Sequence, residues 1–237
     1  MNATITSERP ILFSGPMVRA IMEGRKTQTR RVVKWPANVL ADAVDRVLPA
    51  PYYGHGARGA FVPVDKGGGI ATKPFAAHHV DCPYGVPGDR LWVREMWAKS
   101  SCNRGQGVIR YAADDSARFV LAEDGGEGDW CGLAGVADSS RCQPVDRWRP
   151  SIHMPRWACR LVLEVVNRRV ERVQAISEAD AIADGCFPVD RLYQPPNSKN
   201  DYARVQFAFL WDSINGEGSW AENPWVWVVE FKRVGAS

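Results

Sequence analysis

Apolar residues in this chain come in short runs separated by stretches rich in proline, glycine and charge, and the period of the runs changes along the way. Ile11-Leu12-Phe13 fits a short buried strand. Ser14-Gly15-Pro16 then supplies an N-cap residue with proline in the first turn, which predicts a helix start. Met17, Val18, Ile21 and Met22 recur at helical spacing, and Gly24 stands where a left-handed C-terminal cap belongs. The turn cluster Tyr84 to Asp89 leads into Arg90-Leu91-Trp92-Val93-Arg94, a strand with Leu91 and Val93 on one side and Trp92 and Arg94 on the other. Val108 to Tyr111 and Leu161 to Val166 predict further strands, with Val170 to Val173 beginning a hairpin partner.

Towards the C-terminus, Ser177-Glu178-Ala179-Asp180 has the form of a capping box opening a short helix that stops at Gly185. A longer helix follows, with Tyr202, Val205, Phe209, Leu210 and Ile214 as its expected apolar face. Trp225 to Phe231 is apolar enough for a central strand. Two regions break the pattern, at about 36–82 and 114–144, and read as long insertions with little regular structure. Helices set among non-repeating strands predict one α+β domain over 10–234, built around a mixed sheet or small barrel.

Composition adds little to that picture and charge adds more. With 45% apolar and 24% charged residues the chain is an ordinary globular protein, and a net charge of +3 is too small for a wholly electrostatic nucleic-acid binder. The charges are clustered, however. Gly24-Arg25-Lys26-Thr27-Gln28-Thr29-Arg30-Arg31 packs four cations into eight residues, and seven arginines fall between Arg147 and Arg172. From Glu178 to Glu222 eight acids face three bases, so a two-signed surface with one basic face is expected. A cation cluster of this density predicts an anionic partner that offsets the mutual repulsion.

Six cysteines without a CxxC pair, and with no signal peptide ahead of them, point to a reducing cytoplasm rather than a disulfide scaffold. No apolar run approaches the roughly 20 residues of a membrane-spanning helix. His78-His79-x-x-Cys82 with His55 or Cys102 matches no standard zinc spacing, and no metal or other cofactor is called for. The glycine run Gly67-Gly68-Gly69 lacks the Lys-Ser/Thr of a phosphate loop.

At Gly24-x-Lys26-x-x-Thr29-x-Arg31 the sequence resembles the signature of the ASCH family, whose barrel is similar to that of PUA domains. Thr29 stands where most of that family has Glu, as it does in the branch of small bacterial N4-acetylcytidine amidohydrolases. The frame from Tyr84 to Glu95 and Asn223 to Trp227 also resembles ASCH-type proteins of phages and prophages. The resemblance implies a PUA-like mixed barrel with flanking helices, and a catalytic group of Lys26, Thr29 and Glu95. It leaves out the two insertions.

Amide hydrolysis at an exocyclic nitrogen needs a nucleophile, a base and an acid for the leaving nitrogen. Thr29 fits the first role and a neutral Lys26 the second, with Arg25, Arg30 and Arg31 lowering the lysine pKa by repulsion. Glu95 fits the third if an apolar setting beside Trp92 and Trp97 raises its pKa, whereas a salt bridge to an arginine would keep it ionised. Arg25, Arg30, Arg31, Trp92, Arg94, Arg156 and Trp157 are the candidate contacts to a modified nucleoside or nucleic acid. The same residues suit a non-catalytic RNA- or DNA-binding module, with cations on phosphates and tryptophans stacked on bases, and a ribonuclease of the same family is a third reading.

Overall fold

A computed structural model describes residues 7–37, 39, 43–49, 61–67, 80–101, 107–119, 136–137, 143–187 and 202–234. The chain is α+β, and it divides into two compact units, neither continuous in sequence. One unit comprises 1–7, 26–89 and 164–232, and the other 8–25, 90–163 and 233–237. Much of both predicted insertions, and the residues His55, His78, His79 and Cys102 weighed for zinc, lie outside the described residues.

In the second of these units, β1 (Glu8–Leu12) pairs in parallel with β5 (Arg90–Arg94), Ile11 opposite Val93. Leu91 and Val93 are buried while Trp92 and Arg94 are half-buried, the alternation a period of two demands. Helix α1 (Gly15–Met22) begins after Ser14 with Pro16 in its first turn, although the Ser14 side chain makes no capping bond. Its other end closes with Gly24 at φ +76°. The Gly24 N–H donates to Ile21 O at 3.0 Å and the Arg25 N–H to Ala20 O at 2.9 Å, the paired bonds of a Schellman cap. Four antiparallel strands follow: β6 (Trp97–Ser101), β7 (Gly107–Tyr111), β8 (Ala117–Phe119) and β9 (Val136–Ala137). Trp97, Ile109, Tyr111, Met154 and Ala158 form a core cluster of this unit. From Trp148 to Trp157 the chain makes single helical turns at Ser151–His153 and Arg156–Ala158, which follow Pro150 and Pro155.

In the other unit, β11 (Trp225–Val234) lies between β10 (Val162–Arg172, in this unit from Glu164) and β2 (Gln28–Val32). That placement explains a strand apolar on both faces. β3 (Arg46–Pro49) and β4 (Phe61–Val64) make a separate antiparallel pair. With β8 and β9 they are the strands described within the two regions read as insertions, and strands this short show too few alternations to stand out in proline- and glycine-rich sequence. The hairpin expected at Val170 is absent. β10 continues unbroken to Arg172, because its polar residues find partners along the strand: Arg168 donates to Gly85 O at 2.9 Å and Arg169 to Glu171 at 2.9 Å.

Helix α2 (Glu178–Ala183) opens with the Ser177 hydroxyl accepting the Asp180 N–H at 3.1 Å. Helix α3 (Tyr202–Asn215) buries Ala203, Phe207 and Trp211, not the predicted face. Val205 and Ile214 are exposed and Phe209 is 74% exposed. Both stripes have helical spacing, and the buried one is chosen by what it meets, the cluster of Val173, Ile176, Ala181, Cys186, Val226 and Val228. Among the described residues the strands close no barrel, and no helix is long and apolar enough to cross a membrane.

Two glycines give a graded test of this backbone. A Cβ at Gly24 would meet nothing within 4 Å, so Gly24→Ala should cost only its left-handed strain, about 1 kcal/mol. At Gly85, φ +90°, a Cβ would lie 2.5 Å from the Asp89 carboxylate, which accepts the Val86 N–H at 3.0 Å and the Ser7 N–H at 3.1 Å. Gly85→Ala should therefore cost at least about 1 kcal/mol more than Gly24→Ala, as those bonds are disturbed. Urea midpoints at unchanged slope measure the difference, and equal midpoints would contradict the account.

Candidate functional site

The basic octamer leaves the α1 cap and enters β2, and most of its charge turns inward. Gln28 and Arg30 lie two apart on one face of β2 and both reach α2. Gln28 donates to Asp180 O at 2.6 Å and Oδ1 at 3.1 Å. Arg30, with 0% of its side chain exposed, donates Nη1 to Asp184 Oδ2 at 2.5 Å and Nη2 to Glu171 Oε1 at 2.7 Å. Lys26, just before the strand and 3% exposed, donates Nζ to Asp184 Oδ1 at 2.8 Å and to the Asp184 carbonyl at 2.7 Å. Arg169 extends the cluster to Glu171, to Asp180 at 3.2 Å and to Glu230.

The anionic partner predicted for the octamer is thus supplied largely by the chain itself. Asp180 and Asp184 come from the acid-rich stretch that was expected to form the opposite side of a two-signed surface. Arg25 pairs with Glu23. Arg30, a candidate substrate contact, has its side chain buried on Asp184 and Glu171.

Burial dominates the electrostatics of Lys26. It pushes the amine below the usual lysine value; Asp184 pulls it back up, and the Arg31 charge pushes it down again. The repulsion argued from sequence is present, but it comes from Arg31 and is smaller than desolvation. Thr29 is 3% exposed and sits opposite Val229 of β11. Arg31, two residues on and on the same face of β2 as Thr29, is itself lowered by burial, against the opposing influence of Tyr84 and Asp184.

Glu95 belongs to the second unit and is 1% exposed. Arg160 grips it in a two-pronged ion pair, Nε to Oε1 and Nη2 to Oε2, both at 2.8 Å. Arg160 also donates to Asp114 at 2.9 Å and to the Ser116 hydroxyl at 2.5 Å, with its guanidinium 4.0 Å from the Tyr111 ring centroid. Two opposed influences act on Glu95. Burial raises its pKa, Arg160 opposes the rise, and the net direction is up. Burial alone would lower Arg160, but its bonds to Glu95 and Asp114 outweigh that and keep it a cation. The Tyr111 phenol is pushed up to about 12, chiefly by burial.

The remaining candidates are engaged with neighbours in the same unit. Arg94 lies over the Trp92 ring at 5.3 Å and donates to Ile152 O. Arg156 donates to both Glu8 oxygens, at 2.8 and 3.0 Å. Trp157 packs edge-on against Trp97 at 6.0 Å between centroids, with the Lys99 amine 5.8 Å from its ring. Asp184, Arg160 and Asp114 were not singled out from sequence. Asp184 counted only as one acid in an acidic stretch and Arg160 as one of seven arginines, and pairing across 154 to 158 residues for Asp184, and 46 to 65 for Arg160, leaves no local signal.

No protein-family model, curated protein or solved structure matches the chain. Among the described residues no group of three or more His, Cys, Asp or Glu is placed to hold a metal ion.

Arg160→Ala leaves Glu95 buried without its counter-ion and should destabilise the protein by about 3–5 kcal/mol at neutral pH. A carboxyl whose folded pKa is raised binds protons more readily in the folded state, so its contribution is present below 4.5 and lost as pH rises through the folded value. The loss in Arg160→Ala should accordingly shrink towards acid pH, where Glu95 is neutral. Denaturation of both proteins from pH 4 to 8 checks the sign, and a deficit that grows on acidification would refute it.

Proposed function

We propose that the protein is an ASCH-type hydrolase with a PUA-like core, acting on a modified nucleobase or nucleoside, most concretely by amide hydrolysis of N4-acetylcytidine or an analogue. The observation that carries the reading is the Lys26 amine. It is buried, fixed by two hydrogen bonds and lowered in pKa, three residues before a buried Thr29. A lysine used only as a phosphate contact has no need of such a setting, whereas a general base must give up its proton near neutral pH.

The chemistry balances as follows. Thr29 Oγ attacks the acetyl carbon as its proton passes to neutral Lys26; the C–N4 bond breaks and N4 takes a proton as cytidine leaves; water then hydrolyses the acetyl-threonine to acetate. Glu95 enters as the acid through the family resemblance, and its raised pKa suits that role.

Purified protein incubated with N4-acetylcytidine should release cytidine. Lys26→Ala and Thr29→Ala should each lower kcat/KM by on the order of 100-fold or more, and Glu95→Gln tests the acid. Because the base must be neutral, kcat/KM should rise with pH through an inflection below 10.5, the ordinary lysine value. Absence of turnover by the wild type, or turnover unchanged in both alanine variants, would refute the reading. Salt-sensitive oligonucleotide binding without turnover would favour the binding module instead.

A further inference from the structure

The last turn of α2 is built as a socket for the segment that carries Lys26. The Ala183 carbonyl accepts the Thr27 N–H at 2.8 Å, and the Asp184 carbonyl accepts the Lys26 amine at 2.7 Å. Two carbonyls at a helix end, which have no partner inside the helix, are thereby satisfied by neighbouring residues of one strand entry. The Asp184 side chain adds a second acceptor to the same amine, and its other oxygen is held by Arg30 at 2.5 Å. All three side chains are at least nine-tenths buried.

We propose that Asp184 is the positioning residue of Lys26: its carboxylate, shared between the lysine amine and the arginine guanidinium, fixes where the amine sits and governs when it gives up its proton. The division of labour follows from the chemistry of the partners. Arg30 is a permanent cation, and its bond to the second carboxylate oxygen holds Asp184 in place beside the amine. Lys26 is the partner able to change state. Arg31 of β2 and Cys186, which follows α2, also act on the amine, Arg31 lowering its pKa and Cys186 raising it. The geometric part stands alone; the consequence for catalysis rests on the reading of Lys26 as a general base.

The test reads the Lys26 side chain directly. In Asp184→Asn, which keeps the size and one oxygen acceptor but removes the charge, the Lys26 ε-ammonium titration followed by NMR should move down by about one to three units. Asp184→Glu should restore it partly. If the general-base reading also holds, the rise of kcat/KM with pH moves down with it. A wild type that does not turn over N4-acetylcytidine defeats the general-base reading and leaves the NMR shift as the measure of this one.

A Lys26 titration unchanged within a few tenths of a unit in folded Asp184→Asn would overturn the proposal, as would a loss of stability with no shift. Should that variant not fold, the wild type decides. The Lys26 ammonium protons should exchange slowly with water and show scalar coupling to the Asp184 carboxylate carbon. Exchange as fast as that of an exposed lysine, with no coupling, would overturn it.

Discussion

The burial of Lys26 and Arg30 on one carboxylate is the constraint on which the arrangement of β2 and α2 depends. Taking an ion out of water costs several kcal/mol even after relaxation, so cations stay buried only where carboxylates and carbonyls meet their donors. Asp184 meets two of them, and Glu171, Asp180 and Glu230 carry the cluster onward through Arg169. An arrangement of this kind tolerates little displacement. Sliding α2 along β2 would break the Gln28 bonds to Asp180 and both Asp184 pairs together, which specifies one register more sharply than apolar packing alone.

The second unit solves the same problem with the signs exchanged. There the deeply buried group is an acid, Glu95, and the satisfying partner is Arg160, itself shared with Asp114 and seated on the Tyr111 ring. Burial drives Lys26 down and Glu95 up, so each is pushed towards its neutral form. Structural networks can do this too, but hydrogen bonds and neighbouring charges together can also outweigh desolvation, as they do for Asp180, whose bonds from Gln28 and Ser177, helped by the charges of Arg169 and Arg30, bring its pKa below the usual value. Lys26 and Glu95 shift towards their neutral forms against a bonded counter-ion, which separates them from Asp180 and is the kind of setting a proton-transfer group needs.

Much of the local structure was legible in the sequence because local rules decide it. The end of α1 at Gly24, the start of α2 at Ser177, the alternation in β5 and the burial of Trp225 and Trp227 in β11 each follow from a few adjacent residues. What failed depended on partners far along the chain. The face of α3 was misread because Phe209 and Phe207 carry equal apolar weight, and only the cluster beneath the helix selects Phe207. Val170 to Val173 read as a new strand because three polar residues precede it, yet Arg168 and Arg169 are stabilised in line by neighbours no window contains. Lys26, Thr29 and Glu95 are candidates that a resemblance names, whereas Asp184 and Arg160 had nothing in their surroundings to mark them out.

The octamer carries the wider lesson. A run of cations implies an anion, but the inference is silent on whether that anion is a ligand or another part of the same chain. Charge counting assigned the acids after Glu178 to a separate surface, since proximity in sequence was its only measure. In the fold two of those acids are partners of Lys26 and Arg30, and these two buried cations are little available to an external phosphate. Neutralised from within, the octamer does not attract a polyanion through those two side chains. What it offers instead is a dry, hydrogen-bonded amine whose charge depends on its surroundings, and such a group is of more use in moving a proton than in holding a phosphate.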